Sequence, residues 1–155
     1  MSVQLLDVNV LIALAWPQHM FHERAHTWFE RSRLSTPNAG GSVKWATCIL
    51  TQNAFVRISS NASIVDGAVR PTAARSMLLH YTGDPDHIYW ELAPSLSGPL
   101  AAELPAELLS GHRQVTDACL LLYATQYDGV LCTFDRKISA AVSGTRFARH
   151  VELIG

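Results

Sequence analysis

The chain has 155 residues, of which 48% are apolar and only 16% charged, with a net charge of −1. This composition supplies a well-filled core and excludes wholesale disorder, and two separate cores would each be small, so one domain spanning 1–155 is expected. A charge near zero neither favours nor excludes a nucleic-acid partner, but any basic footprint has to be local.

The opening MSVQLLDVNVLIALAW is apolar, lacks a basic leader and is interrupted by Asp7 and Asn9. It is expected as a strand and helix of the mature fold rather than a signal peptide. No apolar stretch approaches the roughly twenty residues that cross a bilayer, so no membrane association is expected. The odd cysteine count, with no C-x-x-C pair, leaves Cys48, Cys119 and Cys132 as buried free thiols, in keeping with a reducing cytoplasm.

In chain order, 3–6 (VQLL) reads as a short buried strand ending at Asp7, followed by a helical run over 8–16 that Pro17 stops. A second helix over 21–33 places Phe21, Ala25, Trp28 and Phe29 on one face. The stretch 35–42 is rich in turn residues. A strand over 43–48 and a helix over 49–61 follow, the helix turning Leu50, Ala54 and Ile58 inward. Pro71 suits the first turn of a helix reaching Tyr81. Residues 83–86 make a turn and 87–92 a strand. Between 93 and 111 the signals are mixed, with a short helix broken at Pro105. Thr116 is placed to cap a long apolar helix over 117–127, terminated at Gly129. A strand over 130–135, a helix over 136–143 and a last strand over 150–154 complete the chain. Strands alternating with helices predict an α/β fold, a mainly parallel central sheet flanked by helices.

Two of these strands run straight into an aspartate, Asp7 and Asp135, where open α/β sheets collect ligands beyond their carboxyl ends. Asp117 adds a third acid at the head of an apolar helix, where a carboxylate needs a partner to stay ionised. Each has an ordinary alternative: Asp117 as a first-turn acid on the helix dipole, Asp7 as a helix start, Asp135 as a turn residue. Three converging acids are hard oxygen ligands suited to Mg²⁺ or Mn²⁺ rather than zinc. Asn9, Thr116 and Thr133 lie near them in sequence as supporting polar groups, with ordinary turn, cap and strand roles as the alternatives.

LLDVNVLIAL, TQNAFVRISSN, VTDACLLLYA and LCTFDRKI resemble, collinearly from Leu5 to Leu153, the PIN-domain family and within it the VapC-type toxins of toxin–antitoxin pairs. The resemblance implies a three-layer PIN-like domain, with Mg²⁺- or Mn²⁺-dependent endoribonuclease activity on RNA. It further implies a homodimer masked by a cognate antitoxin. It carries Asp7, Asp117 and Asp135 over as metal ligands and catalytic residues, with Asn9 and Thr116 in support. One departure stands out: relatives place a glutamate at the position of Gln52, and no Asp or Glu occurs here between Glu30 and Asp66. An amide can coordinate or hold a water but brings no charge. A catalytically weakened domain that binds RNA or antitoxin without efficient cleavage is the resulting alternative.

Arg57, Arg113 and Arg136 are candidate RNA contacts, with Lys137 beside them, since basic side chains near the acids suit phosphate. A solvated surface or local ion pair is the plain alternative for each. His22, Glu23 and His26 match the zinc-protease pattern H-E-x-x-H, but Phe29 and Ser32 break its extended form. A solvent-facing polar edge is expected instead. A DNA or flap nuclease shares the carboxylate logic, yet its larger relatives need acids and a clamping helical region for which this chain has little room.

Overall fold

The computed structural model describes residues 2–34 and 43–155; the expected 35–42 turn lies outside them. Five strands form one sheet: β1 (Gln4–Leu6), β2 (Trp45–Thr47), β3 (His87–Tyr89), β4 (Val130–Thr133) and β5 (Val151–Leu153). All four pairings are parallel and the order is β3-β2-β1-β4-β5. The sheet therefore reverses its direction of growth between β1 and β4, the topological switch point at which such sheets open a crevice.

The helices are α1 (Val8–Ala15), α2 (His22–Leu34), α3 (Ile49–Ser59), α4 (Pro71–Thr82), α5 (Pro99–Ala102), α6 (Val115–Gln126) and α7 (Arg136–Val142). Shorter 3-10 turns occupy Ala106–Leu109, His112–Gln114 and Arg146–His150. Strand side chains alternate between two cores, as the two-residue period of a pleated strand requires. Leu5, Ala46 and Leu131 pack with α6 and α7, whereas Leu6, Trp45 and Cys132 pack with α1 and the aromatic faces of α2 and α3. Three layers result, as expected.

The strands are shorter than expected because each needs a neighbour to pair with. β2 gives way to α3 at Ile49, so β3 stops at Tyr89 after one further bond, from Trp90 N to Thr47 O at 2.9 Å. At the other edge His150 is taken into a 3-10 turn, its Nδ1 2.8 Å from Gly129 O. The 93–111 region resolves around Pro105, with α5 ending before it and a 3-10 turn beginning just after it.

Two expectations about the helices are corrected. α6 begins at Val115 with Gln114 at its N-cap, so Thr116 lies inside the first turn and caps nothing. The inward face of α3 is Thr51, Ala54, Phe55 and Ser59, with Leu50 and Ile58 only partly covered. The solvent-facing polar edge expected at His22, Glu23 and His26 is present, with Glu23 and His26 exposed and His22 partly so, and its two imidazoles also place ring nitrogens 2.7 and 3.0 Å from the carbonyls of Ala13 and Leu14. They satisfy the last turn of α1, whose carbonyls have no helical partner. Cys48 and Cys132 are buried free thiols as expected, but Cys119 is only half-buried. Among the described residues no helix is long and apolar enough to cross a membrane.

Candidate active site

β1 and β4 are direct neighbours, so Asp7 and Asp135 leave the sheet side by side at the switch point. Asp7 is only 4% exposed, and its Oδ2 accepts a 2.7 Å hydrogen bond from the Thr133 hydroxyl. The same hydroxyl oxygen accepts from the Asp135 amide at 3.0 Å. Thr133, buried at the end of β4, thus links two of the three acids through one oxygen. Asp135 is partly exposed and also caps α7, its Oδ1 accepting from Lys137 N at 2.8 Å. Expected in the alternative as a turn residue, Asp135 is instead the N-cap of α7.

Asp117 lies in the first turn of α6, whose N-cap Gln114 makes no side-chain cap bond. Burial first, then the charges of Asp7 and Asp135, raise its pKa to about 7. Burial raises Asp7 as well, opposed by the Thr133 bond and the amides of Val8 and Asn9, with Asp135 adding a smaller upward push. The three carboxyl groups therefore feel one another. Mutual repulsion in a half-dry crevice is the condition that a bound cation relieves.

Asp117 and Asp135, but not Asp7, line a recess of about 140 Å³ together with Glu107, Ser110, Gln114, Lys137 and Ile138. Among the described residues no three His, Cys, Asp or Glu side chains are gathered closely enough to grip an ion as they stand. The donor set is all oxygen and anionic, which fits a hard divalent cation and not zinc.

The remaining residues singled out from sequence lie elsewhere. Asn9 is exposed on α1 and faces a different cavity of about 430 Å³, shared with Trp16, His19 and Asp66. Thr116 is exposed and no hydrogen bond joins it to Asp117. Gln52 donates from Nε2 to Thr47 Oγ1 at 3.0 Å, and that hydroxyl meets His87 Nε2 at 2.8 Å. It borders a groove between α3 and α4 together with Arg57 and Arg75, not the recess of Asp117 and Asp135. Arg113 and Arg136 are exposed and do not line the recess either. Glu107, Ser110 and Gln114 were not foreseen; the only hint in the sequence was AELL following Pro105.

An all-parallel sheet whose switch point is flanked by the buried Asp7 and the partly exposed Asp135 is the architecture of a PIN-type α/β domain. No family model matches the chain. Curated relatives do: it is 37% identical to ribonuclease VapC39 of Mycobacterium tuberculosis over 140 residues, covering 90% of this chain and 93% of that one. It is 38% identical to ribonuclease VapC38 of the same organism over 131 residues, 84% of each chain. Ribonuclease VapC44 matches at 35% over 143 residues, 90% of this chain and 92% of its own. The chain belongs to the VapC family of PIN-domain ribonuclease toxins.

Proposed function

We propose that the chain is a metal-dependent endoribonuclease in which Asp7, Asp117 and Asp135 together hold Mg²⁺ or Mn²⁺ against an RNA phosphodiester. The observation that carries this is the placement of the acids at the switch point, where the Thr133 hydroxyl bonds both the Asp7 carboxylate and the Asp135 amide, with Asp117 raised to about 7 by burial and by the charges of the other two. A divalent cation here would neutralise charge developing on the phosphate and lower the pKa of an attacking water. The protein's own part is positional. Thr133 fixes the Asp7 carboxylate through its 2.7 Å bond, and the buried floor beneath Asp7 keeps bulk water from screening the acids. Of the supporting polar side chains, Thr133 alone bonds into the acid set, Asn9 contributing only its backbone amide to Asp7, and the proposal relies on Thr133 rather than on the side chains of Asn9, Gln52 or Thr116.

RNA is the substrate of this reading, acting in the cytoplasm, with a cognate antitoxin and a second copy of the chain as protein partners. Exposed apolar side chains such as Met20, Leu34, Ile64 and Leu92 leave surface for such partners. The engagement of Gln52 with Thr47, where an acid would add charge, favours a second reading. In it the fold binds RNA or antitoxin with little cleavage.

Purified protein incubated with RNA and Mg²⁺ or Mn²⁺ separates the two. Cleavage that chelation stops, and that Asp7→Asn or Asp117→Asn abolishes in a folded variant, supports the enzyme. Full activity in either variant removes that residue from the metal set. Binding with no cutting selects the second reading.

A further inference from the structure

Four cations were near the acids in sequence or on the helix of Gln52: Arg57, Arg113, Arg136 and Lys137. Among the described residues only Lys137 lines the recess that contains Asp117 and Asp135. At about 140 Å³ the recess is well below the roughly 300–1,000 Å³ of a site that encloses a whole small ligand. It has room for one group of a polymer, such as a phosphodiester with the edge of its ribose. Its walls carry three carboxylates, Glu107, Asp117 and Asp135, so an entering phosphate meets like charge. A divalent cation offsets part of that repulsion. The rest needs a second positive charge inside the same recess.

Lys137 meets that need. Its backbone amide is pinned to Asp135 Oδ1 at 2.8 Å, which starts its side chain beside the acids. Its ammonium takes part in no ion pair among the described residues, although the other ion pairs there engage Arg33, Lys44, Arg146 and Arg149. A lysine ammonium is a compact charge with three donors on a flexible stem, suited to following a phosphate oxygen as it moves. We infer that Lys137 binds a non-bridging oxygen of the scissile phosphate within the recess it shares with Asp117 and Asp135. The inference rests on the ribonuclease reading and adds to it a residue that touches substrate.

The test compares wild type with Lys137→Gln and Lys137→Arg, each checked for an unchanged thermal melt. Binding of a fluorescein-labelled single-stranded RNA of mixed sequence is followed by anisotropy with Ca²⁺ in place of Mn²⁺, between about 50 and 200 mM salt. Cleavage of the same RNA is followed with Mn²⁺ at saturating RNA. Lys137→Gln should lose about 0.7 from the slope of log affinity against log salt, the value of one phosphate contact on a single strand. Its saturated rate should fall about tenfold or more, as for loss of a hydrogen bond to a charged group. Lys137→Arg should recover most of both.

An unchanged slope in folded Lys137→Gln overturns the phosphate contact. A lower slope with an unchanged saturated rate places the contact on a flanking phosphate and overturns the scissile assignment. Failure of the ribonuclease reading looks different. Wild type would then show no salt-dependent RNA binding, or would bind without cutting, and the inference would fall with it.

Discussion

Asp117 has two possible duties, and they predict opposite responses to pH. As a helix-start acid it would stabilise the fold when ionised. As one of three crowded carboxyls it is raised from 3.8 to about 7, so the folded chain retains a proton that the unfolded chain releases. Stability then falls as pH rises from about 4 to about 7, and the full penalty persists above that window. Asp7, raised mainly by burial, acts in the same direction. We therefore expect that in chelator the melting temperature of Asp117→Asn gains on that of wild type as pH climbs through this window. Mn²⁺ should close the gap by stabilising wild type preferentially. Paired melts at several pH values, with and without metal, give the comparison. A variant that instead loses ground to wild type as pH climbs would return Asp117 to a purely helical role.

At the scale of elements, the α6–β4 junction has one tight point. A Cβ on Gly129 would lie 2.7 Å from the Val3 carbonyl oxygen and 2.6 Å from Trp90 Cη2. Trp90 is itself stacked on Tyr127 at 4.5 Å, and the Val3 oxygen belongs to backbone beside β1, so neither neighbour can readily yield. Gly129→Ala should destabilise by about 1–3 kcal/mol, the usual cost of overpacking, read as a lower urea midpoint at unchanged slope. An unaltered midpoint would mean that the junction relaxes freely. The sequence marked Gly129 only as a helix stop, because its close approach to Trp90 depends on how β3 and α6 meet. The same division runs through the other elements. Apolar runs ending in Asp7 and Asp135 were legible because burial and strand period are local signals. The start of α6 was misplaced because Thr116 has the chemistry of a cap, whereas the 3-10 turn before it carries the chain into the helix without one. Strand ends depended on where the neighbouring strand turned away. The acids could be picked out one at a time, but the recess that Glu107 and Lys137 share with Asp117 and Asp135 could not. Their meeting is set by the packing of the 106–109 turn against α6 and α7.

For the whole molecule, the reversal of the sheet between β1 and β4 divides the proposed site by chain order. The segment up to β3 builds one side of the sheet, β3-β2-β1, and supplies Asp7. The segment after it builds β4-β5 and supplies Asp117, Asp135 and Thr133. The seam between them is the β1–β4 ladder, with fully buried Leu5 and Leu131 in register across it. The exposed stretch around Ser95 and Leu96 lies between the two parts. A chain cut there yields two pieces that each hold an incomplete acid set and an uncovered share of core. Expressed singly, neither piece should cleave RNA or slow growth. Brought together by a fused heterodimeric coiled coil, they should regain metal-dependent cutting, and activity from one piece alone would contradict this arrangement of the site. The topology thus makes the protein a natural two-key device, whose toxicity can be assembled on demand from parts that are harmless apart.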